Sequence, residues 1–546
     1  MASTQEADDL SLFTLNNYFM TTCSKISSYT DISRSFHVPI GFKSDSFKIE
    51  SVFGRGFNPP VPDDMKAAQR DRIARDLADA NEKIAFIEKN REKIEKKFQA
   101  AWADEKERCR NGFNIIKKDG QVYSHWRNIN NSFWCLPADY ELIPKNVTKF
   151  QKHQLDAIVA LKDFLESNGI QLIVSIVPNS YMISSRVINP EFKDVPVYQC
   201  AIYTKQLSEV GVECPYEASR IIGNHNKFPF AYLFPFDRHP GATAQYSVAE
   251  EIADRLSCYH FNPKLDSARF SYAQVAPFAS SLQRFPPNCD IGSNKAGEIH
   301  TAEEVHYDGK VLKRDPSSEI LILGNSFIES PTGRSQNSFT AFLSERMRYP
   351  VDDYRVSSYG PMTTIIQRMF EFPEAFLKGK KVVILQVGTM HINPNVRWYN
   401  IAEMDRKKLM LNGKKLVNTL YISGNGDFAG DFVRDIAKKA WASLEGKKDI
   451  KCFDYKAFEI FNQKIPNLDE SKPFVCVIQT ARSALFATPT LIANGIRESI
   501  PAAHDPSIVL WQDIYFQIPA GTSRLKLELQ GKKNTIVGFN KIFIYQ

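Results

Sequence analysis

Hydrophobic and polar residues alternate between helical and extended spacing through the middle of the chain. An amphipathic helix is predicted over about residues 148–167, closed by Asn168-Gly169, and the apolar run Gln171-Leu-Ile-Val-Ser-Ile-Val177 follows it directly. A helix, a tight turn and an unbroken apolar strand are typical of a parallel sheet. Further strands are predicted over 320–323, 351–356 and 382–387, and further helices over 338–347 and 363–370. This alternation predicts an α/β fold, a three-layer α/β/α domain over about residues 120–400.

The chain before this domain has a different pattern. Residues 1–62 form an N-terminal segment that ends in the turn-rich linker Gly54-Arg-Gly-Phe-Asn-Pro-Pro-Val-Pro62. A long helix is predicted from Asp63 to about Arg110, and the region 63–119 is interpreted as a strut. Its apolar stripe consists of Ile73, Leu77, Ile84, Ile87, Ile94, Phe98 and Trp102. Coiled-coil pairing and docking on the main domain both fit this stripe, and its charged residues are interpreted as a solvated face.

The C-terminal part, residues 401–546, is predicted to be a helical connection followed by a β-sandwich. The clearest helix covers 431–444. Short apolar runs then alternate with polar turns, at 474–478, 508–511, 514–518, 525–529 and 535–539. This spacing is typical of antiparallel strands in a sandwich.

Composition and charge narrow the classes of function. The net charge of +7 is spread over 546 residues with no dense Lys/Arg cluster among aromatics, which argues against a nucleic-acid partner. The 9 cysteines are scattered without a Cys-x-x-Cys spacing, so neither a zinc site nor a disulfide framework is predicted, and buried thiols and one or two disulfides both stay open. No cofactor or metal is predicted. No apolar run is long enough to span a membrane, and no leader is visible, so a cytoplasmic and an exported protein both fit.

Candidate chemistry begins where the strand over 320–323 ends. Gly324, Asn325 and Ser326 break the apolar run there. A hydroxyl group at the end of a buried parallel strand lies at the carboxyl edge of the sheet, where α/β proteins bind ligands. Gly324 permits a tight turn. Ser326 is therefore a candidate nucleophile, with an ordinary loop as the alternative interpretation.

A second candidate stretch, Phe236-Asp-Arg-His-Pro-Gly241, lies upstream and precedes an alanine-rich helix. In an extended segment, residues two apart project to the same side, so Asp237 and His239 can face one cleft. A hydroxyl nucleophile needs a base, and a carboxylate orients that base and stabilises its charged form. Asp237 and His239 can supply these two roles, and a polar turn before a helix is the alternative.

Together these stretches resemble the SGNH-hydrolase-like polysaccharide O-acetyltransferases of the alginate-acetylation (AlgJ/AlgX) family. The likeness consists of Asp-x-His followed by Gly-Ala and an alanine-rich helix, then a later strand that ends in Gly-x-Ser-Phe. Residues 167–178 resemble the first core strand of that family, and Val356-Ser-Ser-Tyr-Gly-Pro361 stands where the family has a glycine-containing loop beside the serine. The likeness covers about residues 120–400. The C-terminal end is similar in placement to the family's carbohydrate-binding-like sandwich.

The resemblance implies a role for each matching residue. Ser326 would be the nucleophile, His239 the general base and Asp237 its orienting carboxylate. The backbone N–H groups of Ser326 and Gly360 would form the oxyanion hole. Asn325 stands where related proteins often have Asp, which leaves open how the turn is braced.

Substrate contacts are predicted less directly. Where the family tends to show a Glu and a downstream Arg, this chain has Leu385-Gln-Val-Gly-Thr-Met-His391. His391 and Trp511 are candidate substrate-binding residues, with ordinary packing or solvent exposure as the alternative for each.

The function implied is transfer of an acetyl group to polysaccharide hydroxyls through an acetyl-serine intermediate. The implied partners are the polysaccharide and a membrane-bound acyltransferase that donates the acetyl group, and the implied compartment is periplasmic or extracellular. A carbohydrate O-acetyl esterase uses the same residues, because transfer and hydrolysis differ only in whether the acceptor site excludes water. A non-catalytic polysaccharide-binding scaffold on a hydrolase-like fold is the third alternative.

Overall fold

The structure is a computed structural model, and it describes stretches of the chain between residues 51 and 546. They are 51–108, 113–118, 121–126, 149–178, 190–224, 240–275, 302–312, 314–324, 339–355, 373–389, 398–421, 451–453, 458–483, 490–500, 510–530 and 536–546. Single positions are Met182, Ile183, Arg186, Lys227, Ile328, Ile366, Met369, Phe370 and Ile392. Residues 1–50 and the helix predicted over 431–444 lie outside the described residues, as does most of the helix predicted over 363–370.

Two helices, α1 (Asp63–Lys89) and α2 (Arg91–Arg108), stand where one long helix is predicted. The prediction is wrong at Asn90, whose side-chain amide donates to the carbonyl of Phe86 at 2.8 Å and so caps the first helix. Along the described part of the stripe, Ile84, Ile87, Ile94 and Phe98 are buried as predicted, whereas Ile73 and Leu77 are half-buried. The first half of α1 buries polar residues instead, namely Gln69, Arg72 and Asp76.

These polar residues attach α1 to the α/β unit. Arg72 binds Glu213 through two hydrogen bonds of 2.6 and 3.1 Å, and Asp76 accepts two hydrogen bonds of 2.7 and 2.8 Å from Arg255. Burial raises the pKa of Asp76 to about 6, and the bonds from Arg255 offset only part of that shift. Gln69 donates to the carbonyl of Leu172 at 3.1 Å. The helix is therefore docked by buried charge pairs as well as by apolar contacts.

The α/β unit follows a small hairpin and begins at residue 149. The hairpin pairs β1 (Phe113–Lys118) with β2 (Gln121–Trp126). The unit then contains α3 (Lys152–Ser167), β3 (Gln171–Val177), α4 (Tyr198–Glu209), α5 (Ala218–Gly223), α6 (Ala242–Leu256), β4 (Phe270–Val275), β5 (Ala302–Tyr307), β6 (Lys310–Val311), β7 (Ile320–Gly324), α7 (Phe339–Met347), β8 (Asp352–Arg355), α8 (Pro373–Leu377), β9 (Val382–Gly388) and α9 (Ile401–Leu409). The four core strands predicted from the sequence are all present within a residue or two of the predicted ends.

The central sheet has the strand order β3-β9-β7-β8, and every neighbouring pair is parallel. Consecutive strand residues alternate between two cores. Ile320 and Ile322 of β7 join the core that contains α1, α4, α6 and α7, whereas Leu321 and Leu323 join the core that contains α3 and α9. Helices therefore cover both faces of the sheet. The α/β class predicted from the sequence is confirmed.

A second, antiparallel sheet in the order β4-β5-β6 is attached to this unit, and the sequence pattern did not predict it. Val305 of β5 is buried in the core that contains α7, while Tyr272 of β4 is 45% exposed and donates to Glu345 at 2.5 Å. The small sheet therefore packs on the outside of α7, away from the parallel strands.

The segment before α1 lies along the α/β unit. Ser51 and the N–H of Val52 both donate to the carboxylate of Asp405 in α9, the latter at 2.8 Å. Asn58 donates to the carbonyls of Asn168 and Leu377 at 3.0 Å each. Because these carbonyls precede β3 and β9, the segment covers the edge of the sheet where those strands begin.

The C-terminal part contains two antiparallel sheets that enclose one hydrophobic core, as in a β-sandwich. One sheet has the order β10-β18-β13-β16 with β11 beside β18, and the other has the order β12-β17-β14-β15. The strands are β10 (Leu416–Tyr421), β11 (Lys451–Phe453), β12 (Phe458–Lys464), β13 (Phe474–Ser483), β14 (Thr490–Ala493), β15 (Ile496–Ser499), β16 (Leu510–Ile518), β17 (Arg524–Gln530) and β18 (Ile536–Tyr545). Two of the predicted runs, 508–511 and 514–518, belong to the single strand β16, because Gln512 and Asp513 continue its ladder with β13.

Candidate functional site

The carboxyl edge of the parallel sheet, where its strands end, is the candidate site. Strand β7 is buried along its whole length and lies between β9 and β8, so it is an inner strand. It ends at Gly324, two residues before Ser326. Strand β8 ends at Arg355, five residues before Gly360, and β9 ends at Gly388, three residues before His391. The chain therefore leaves this edge just before three of the predicted site residues.

Gly324 has a steric reason to be glycine. A Cβ atom at this position would stand 2.8 Å from Cγ2 of Ile328. Ile328 is fully buried in the same core as Ile320 and Ile322 of β7. Its side chain is thus packed directly against the last residue of the strand, only four positions earlier in the sequence. Any side chain at position 324 would therefore force the Ile328 side chain to move.

The start of α6 lies at the same edge. Just after α6, the hydroxyl of Tyr259 donates to Oε1 of Gln171, the first residue of β3, at 2.6 Å, so the end of the helix lies where the strands begin. The 15 residues of α6 span about 22 Å, and the 7 residues of β3 span about 23 Å. The first residue, Ala242, therefore lies level with the strand ends. His239 precedes it by three residues.

The residues that flank the two predicted catalytic positions share one hydrophobic core. Ala242 and Ala244, which follow His239, belong to the same buried cluster as Ile322 and Ile328, which stand on either side of Ser326. Helix α6 also packs on α7, with the Tyr246 and Phe342 rings 5.8 Å apart. The residues that flank the two positions thus pack in the same core, although they are far apart in sequence.

The predicted site residues themselves lie outside the described residues. They are Asp237, His239, Ser326, Gly360 and His391. Trp511 lies in β16 opposite Ala481, and its side chain is likewise outside the described part. The triad, the oxyanion hole and the substrate contacts stay predictions.

Beneath this edge lies a polar group that the sequence reasoning missed. Ser175 of β3 and Gln386 of β9 are paired across the two strands. Glu217 is the residue immediately before α5, and its carboxyl group lies near Ser175. All are buried. Burial raises the pKa of Glu217 to about 8, and the neighbouring Ser175 lowers it only in part. The signal in the sequence was a single polar residue at matching positions of two apolar strands.

A cleft lies between the α/β unit and the sandwich. It has a volume of about 350 Å³, which includes space open to solvent, and it is lined on one side by residues of and before α9 and on the other by residues of β15 and β16. Lys407 in its wall binds Glu403 at 3.0 Å and Glu498 at 2.5 Å. These ion pairs join the two units at the cleft, and the sequence pattern gave no sign of them.

The described part of the chain contains four cysteines whose side chains are described, and they form no disulfides. Of these four, Cys200, Cys214 and Cys476 are buried and Cys258 is half-buried. Burial raises the pKa of Cys214 and of Cys476, so both stay neutral thiols. Within the described residues, no three His, Cys, Asp or Glu side chains are grouped as metal ligands, and no helix there is long and apolar enough to cross a membrane.

Comparison with known proteins finds distant structural likeness. No protein-family model and no curated protein matches the chain. Among solved structures, AlgX of Pseudomonas aeruginosa aligns at 15% identity with a TM-score of 0.36, over 77% of this chain and 93% of that one. The O-acetyltransferase domain of Pseudomonas putida AlgJ aligns at 13% identity with a TM-score of 0.34, over 47% and 89%. PatB1 of Bacillus cereus aligns at 10% identity with a TM-score of 0.27, over 52% and 98%. At these values the relationship is distant and assigns no activity to this chain.

Proposed function

We propose that the chain is a serine-dependent O-acetyltransferase that moves an acetyl group onto polysaccharide hydroxyls through an acetyl-serine intermediate. The observation that carries the proposal is the common edge. The end of β7 leads to Ser326, the start of α6 follows His239, and the residues next to both belong to one core. The α/β unit would then be a three-layer SGNH-like catalytic domain.

The proposed chemistry uses three side chains and two backbone groups. His239 accepts the proton of the Ser326 hydroxyl while the serine oxygen forms a bond to the acetyl carbon of an ester donor, and Asp237 holds the imidazolium. The N–H groups of Ser326 and Gly360 bind the oxyanion, and each such donor lowers the barrier by roughly 2.7–4 kcal/mol. The oxyanion then collapses, the donor's alkoxide takes the proton from His239, and acetyl-serine is left.

In the second half, a sugar hydroxyl attacks the acetyl-serine. His239 takes the proton of that hydroxyl, the bond between acetyl and serine breaks, and Ser326 regains the proton. The polysaccharide is the proposed acceptor, and a membrane-bound acyltransferase in a periplasmic or extracellular setting is the proposed source of acetyl groups. The proposed substrate contacts are Trp511 of the sandwich and His391, which follows β9 by three residues in the sequence.

The test is direct acetylation of the serine. The protein is incubated with a chromogenic acetyl ester, and the acetyl-enzyme is sought by intact mass and mapped by peptide digestion. We expect acetyl on Ser326, and loss of turnover by at least a hundredfold in Ser326→Ala and His239→Ala. Ser257→Ala is the matched control, because this exposed serine follows α6 at the opposite edge of the sheet.

The outcomes separate the three functions. Acetyl found on an added polysaccharide supports the transferase, whereas free acetate alone, with the acetyl-serine formed, identifies an esterase. Turnover that is equal in the wild type, Ser326→Ala and His239→Ala contradicts both enzymes. If the wild type shows no turnover above that of the two variants but binds the polysaccharide, the protein is the scaffold.

A further inference from the structure

A cluster of buried polar side chains lies inside the α/β unit and plays no part in the proposed reaction. It consists of Ser175, Glu217 and Gln386, which are at most 1% exposed, and it is called the Glu217 cluster below. Ser175 and Gln386 are direct neighbours across β3 and β9. Ile173 and Ile384, two residues before them, face the core that contains α6. Because strand residues two apart share a face, Ser175 and Gln386 point into that core as well.

The Ser175 hydroxyl lies close enough to the Glu217 carboxyl group to lower its pKa. Even so, five polar atoms of this cluster form no hydrogen bond of ordinary geometry with a protein group within the described part of the chain. They are both carboxyl oxygens of Glu217, the hydroxyl oxygen of Ser175, and the amide nitrogen and oxygen of Gln386. Buried polar atoms in proteins are nearly always bonded to protein groups or to ordered water. A ligand for these atoms must be small, and it must both donate and accept hydrogen bonds. Water meets this description, since buried waters usually bind two to four polar groups.

Among the described residues, the cation that acts on Glu217 is Arg255, and its charge is shared with other carboxylates. The charged groups that act on it are Glu251 and Arg255, both of α6. Arg255 is already bonded to Glu251 at 3.0 Å, to Asp76 at 2.7 and 2.8 Å, and to Glu213 at 3.3 Å, so its charge is shared among three carboxylates.

Among the described residues, Cys214 also interacts electrostatically with Glu217, and burial raises the pKa of its thiol. This thiol is neutral and offers no charge to Glu217. Burial therefore dominates, and it raises the pKa of Glu217 to about 8. The carboxyl group is protonated at neutral pH and has an O–H to donate.

We propose that Glu217, Ser175 and Gln386 form an internal water-binding site in which a protonated Glu217 donates its hydrogen bond to the bound water. The site couples pH to the stability of the α/β unit, because ionisation releases the proton to solvent and leaves a negative charge in the core. It lies close to the candidate active site. Leu385 pairs with Leu323, so Gln386 stands beside Gly324 at the end of β7.

The sign of the pH effect follows from the direction of the shift. The ordinary pKa of a glutamate is 4.5, and that of Glu217 in the folded protein is about 8. The stability that comes from the protonated group is complete below pH 4.5 and is lost as pH rises to about 8. Over that window one proton is bound only by the folded state, so the ratio of folded to unfolded α/β unit falls about tenfold for each pH unit.

Glu217→Gln tests the proposal, because glutamine keeps the shape and hydrogen-bonding groups of the protonated acid but cannot ionise. Unfolding is followed from pH 5 to pH 9. We expect the wild type to lose stability relative to the variant by about tenfold per pH unit up to pH 8. Glu374→Gln is the matched control on the exposed first turn of α8, and its pH dependence should equal that of the wild type. Equal pH dependence of Glu217→Gln and the wild type would overturn the proposal.

Two measurements use only the wild-type protein, so they do not depend on whether the variant folds. The infrared spectrum should contain a protonated carboxyl band at pH 7, above the pKa of about 6 of Asp76, and this band should disappear with a midpoint near pH 8. A high-resolution crystal structure should show water within hydrogen-bond distance of Glu217 and Gln386. Absence of the band, or a Glu217 carboxyl bonded only to protein groups, would refute the site. Neither measurement involves acetyl chemistry, so failure here is separate from failure of the proposed function.

Discussion

Removing the guanidinium group of Arg72 should weaken the attachment of α1 to the α/β unit. Arg72→Met keeps much of the apolar stem and removes the guanidinium that binds Glu213 through two hydrogen bonds of 2.6 and 3.1 Å. Glu213 is fully buried and would lose its bidentate partner. Burial acts to lower the pKa of Arg72, but the hydrogen bond and charge of Glu213 outweigh it and raise the pKa. The pair is thus favourable in the folded state.

The free-energy cost of Arg72→Met depends on which cations still contact Glu213 in the variant. Breaking a buried ion pair by removing one partner costs about 3–5 kcal/mol, because the other charge stays buried. Arg255 still contacts Glu213 at 3.3 Å, which moves the expected value to the lower end, about 3 kcal/mol. This corresponds to a rise of roughly a hundredfold in the fraction of molecules with α1 detached.

Hydrogen exchange of the amides in α1 measures this opening directly, since it reports local unfolding. We expect exchange over residues 63–89 to accelerate by roughly a hundredfold in Arg72→Met. Arg70→Met is the matched control, because Arg70 lies on the exposed side of the same helix. Exchange in Arg72→Met within about threefold of the control would show that the buried pair does not hold the helix.

Two further substitutions test close packing and buried charge. Each is compared with the same substitution at another residue of the same type, at a site where the side chain has space or is exposed. Gly324→Ala should destabilise the α/β unit by about 1–3 kcal/mol in chemical denaturation, because the new methyl group would overlap Ile328. Gly223→Ala has open space around the added methyl group and should be close to neutral, and equal effects of the two would argue against the clash. Lys380→Met should cost about 3–5 kcal/mol, because the buried Lys380 ammonium donates to three oxygen atoms at 2.8–2.9 Å. Lys378→Met, at an exposed site, should change the unfolding free energy by less than about 0.5 kcal/mol, and similar losses in both lysine variants would refute this account.

The parallel strands were the most predictable part of the fold. The sequence predicts β3 at its observed ends, because Gly169 turns the chain before it and Pro178 stops it afterwards. Burial on both faces leaves a continuous apolar run, which is the clearest signal that a strand carries. The sheet order could not be derived in this way, since it depends on contacts between distant segments.

The docking of α1 shows why other features were missed. The sequence pattern predicts a solvated face for Arg72 and Asp76, because a charged residue on a helix is usually exposed. Their burial depends on Glu213, 141 residues from Arg72, and on Arg255, 179 residues from Asp76. No local pattern contains that information. The break at Asn90 was missed for a smaller reason, since one side-chain cap ends the helix inside a continuous charged pattern.

The candidate site was predictable as two separate motifs. The sequence places Ser326 just after a strand and His239 just before a helix, and the observed ends of β7 and α6 agree with that. That both ends lie at one edge requires the direction of α6, which Tyr259 and Gln171 reveal through their hydrogen bond. Whether the side chains meet stays a prediction. Glu217 gave no sequence signal, because a glutamate beside a proline-containing turn is typical of the surface.

The hydrogen bonds from Ser51 and Val52 to Asp405 join the segment before α1 to the last helix of the α/β unit. The sandwich, which follows α9, is therefore attached close to residues 51 and 52, and the chain between residues 52 and 405 leaves from one place and returns to it.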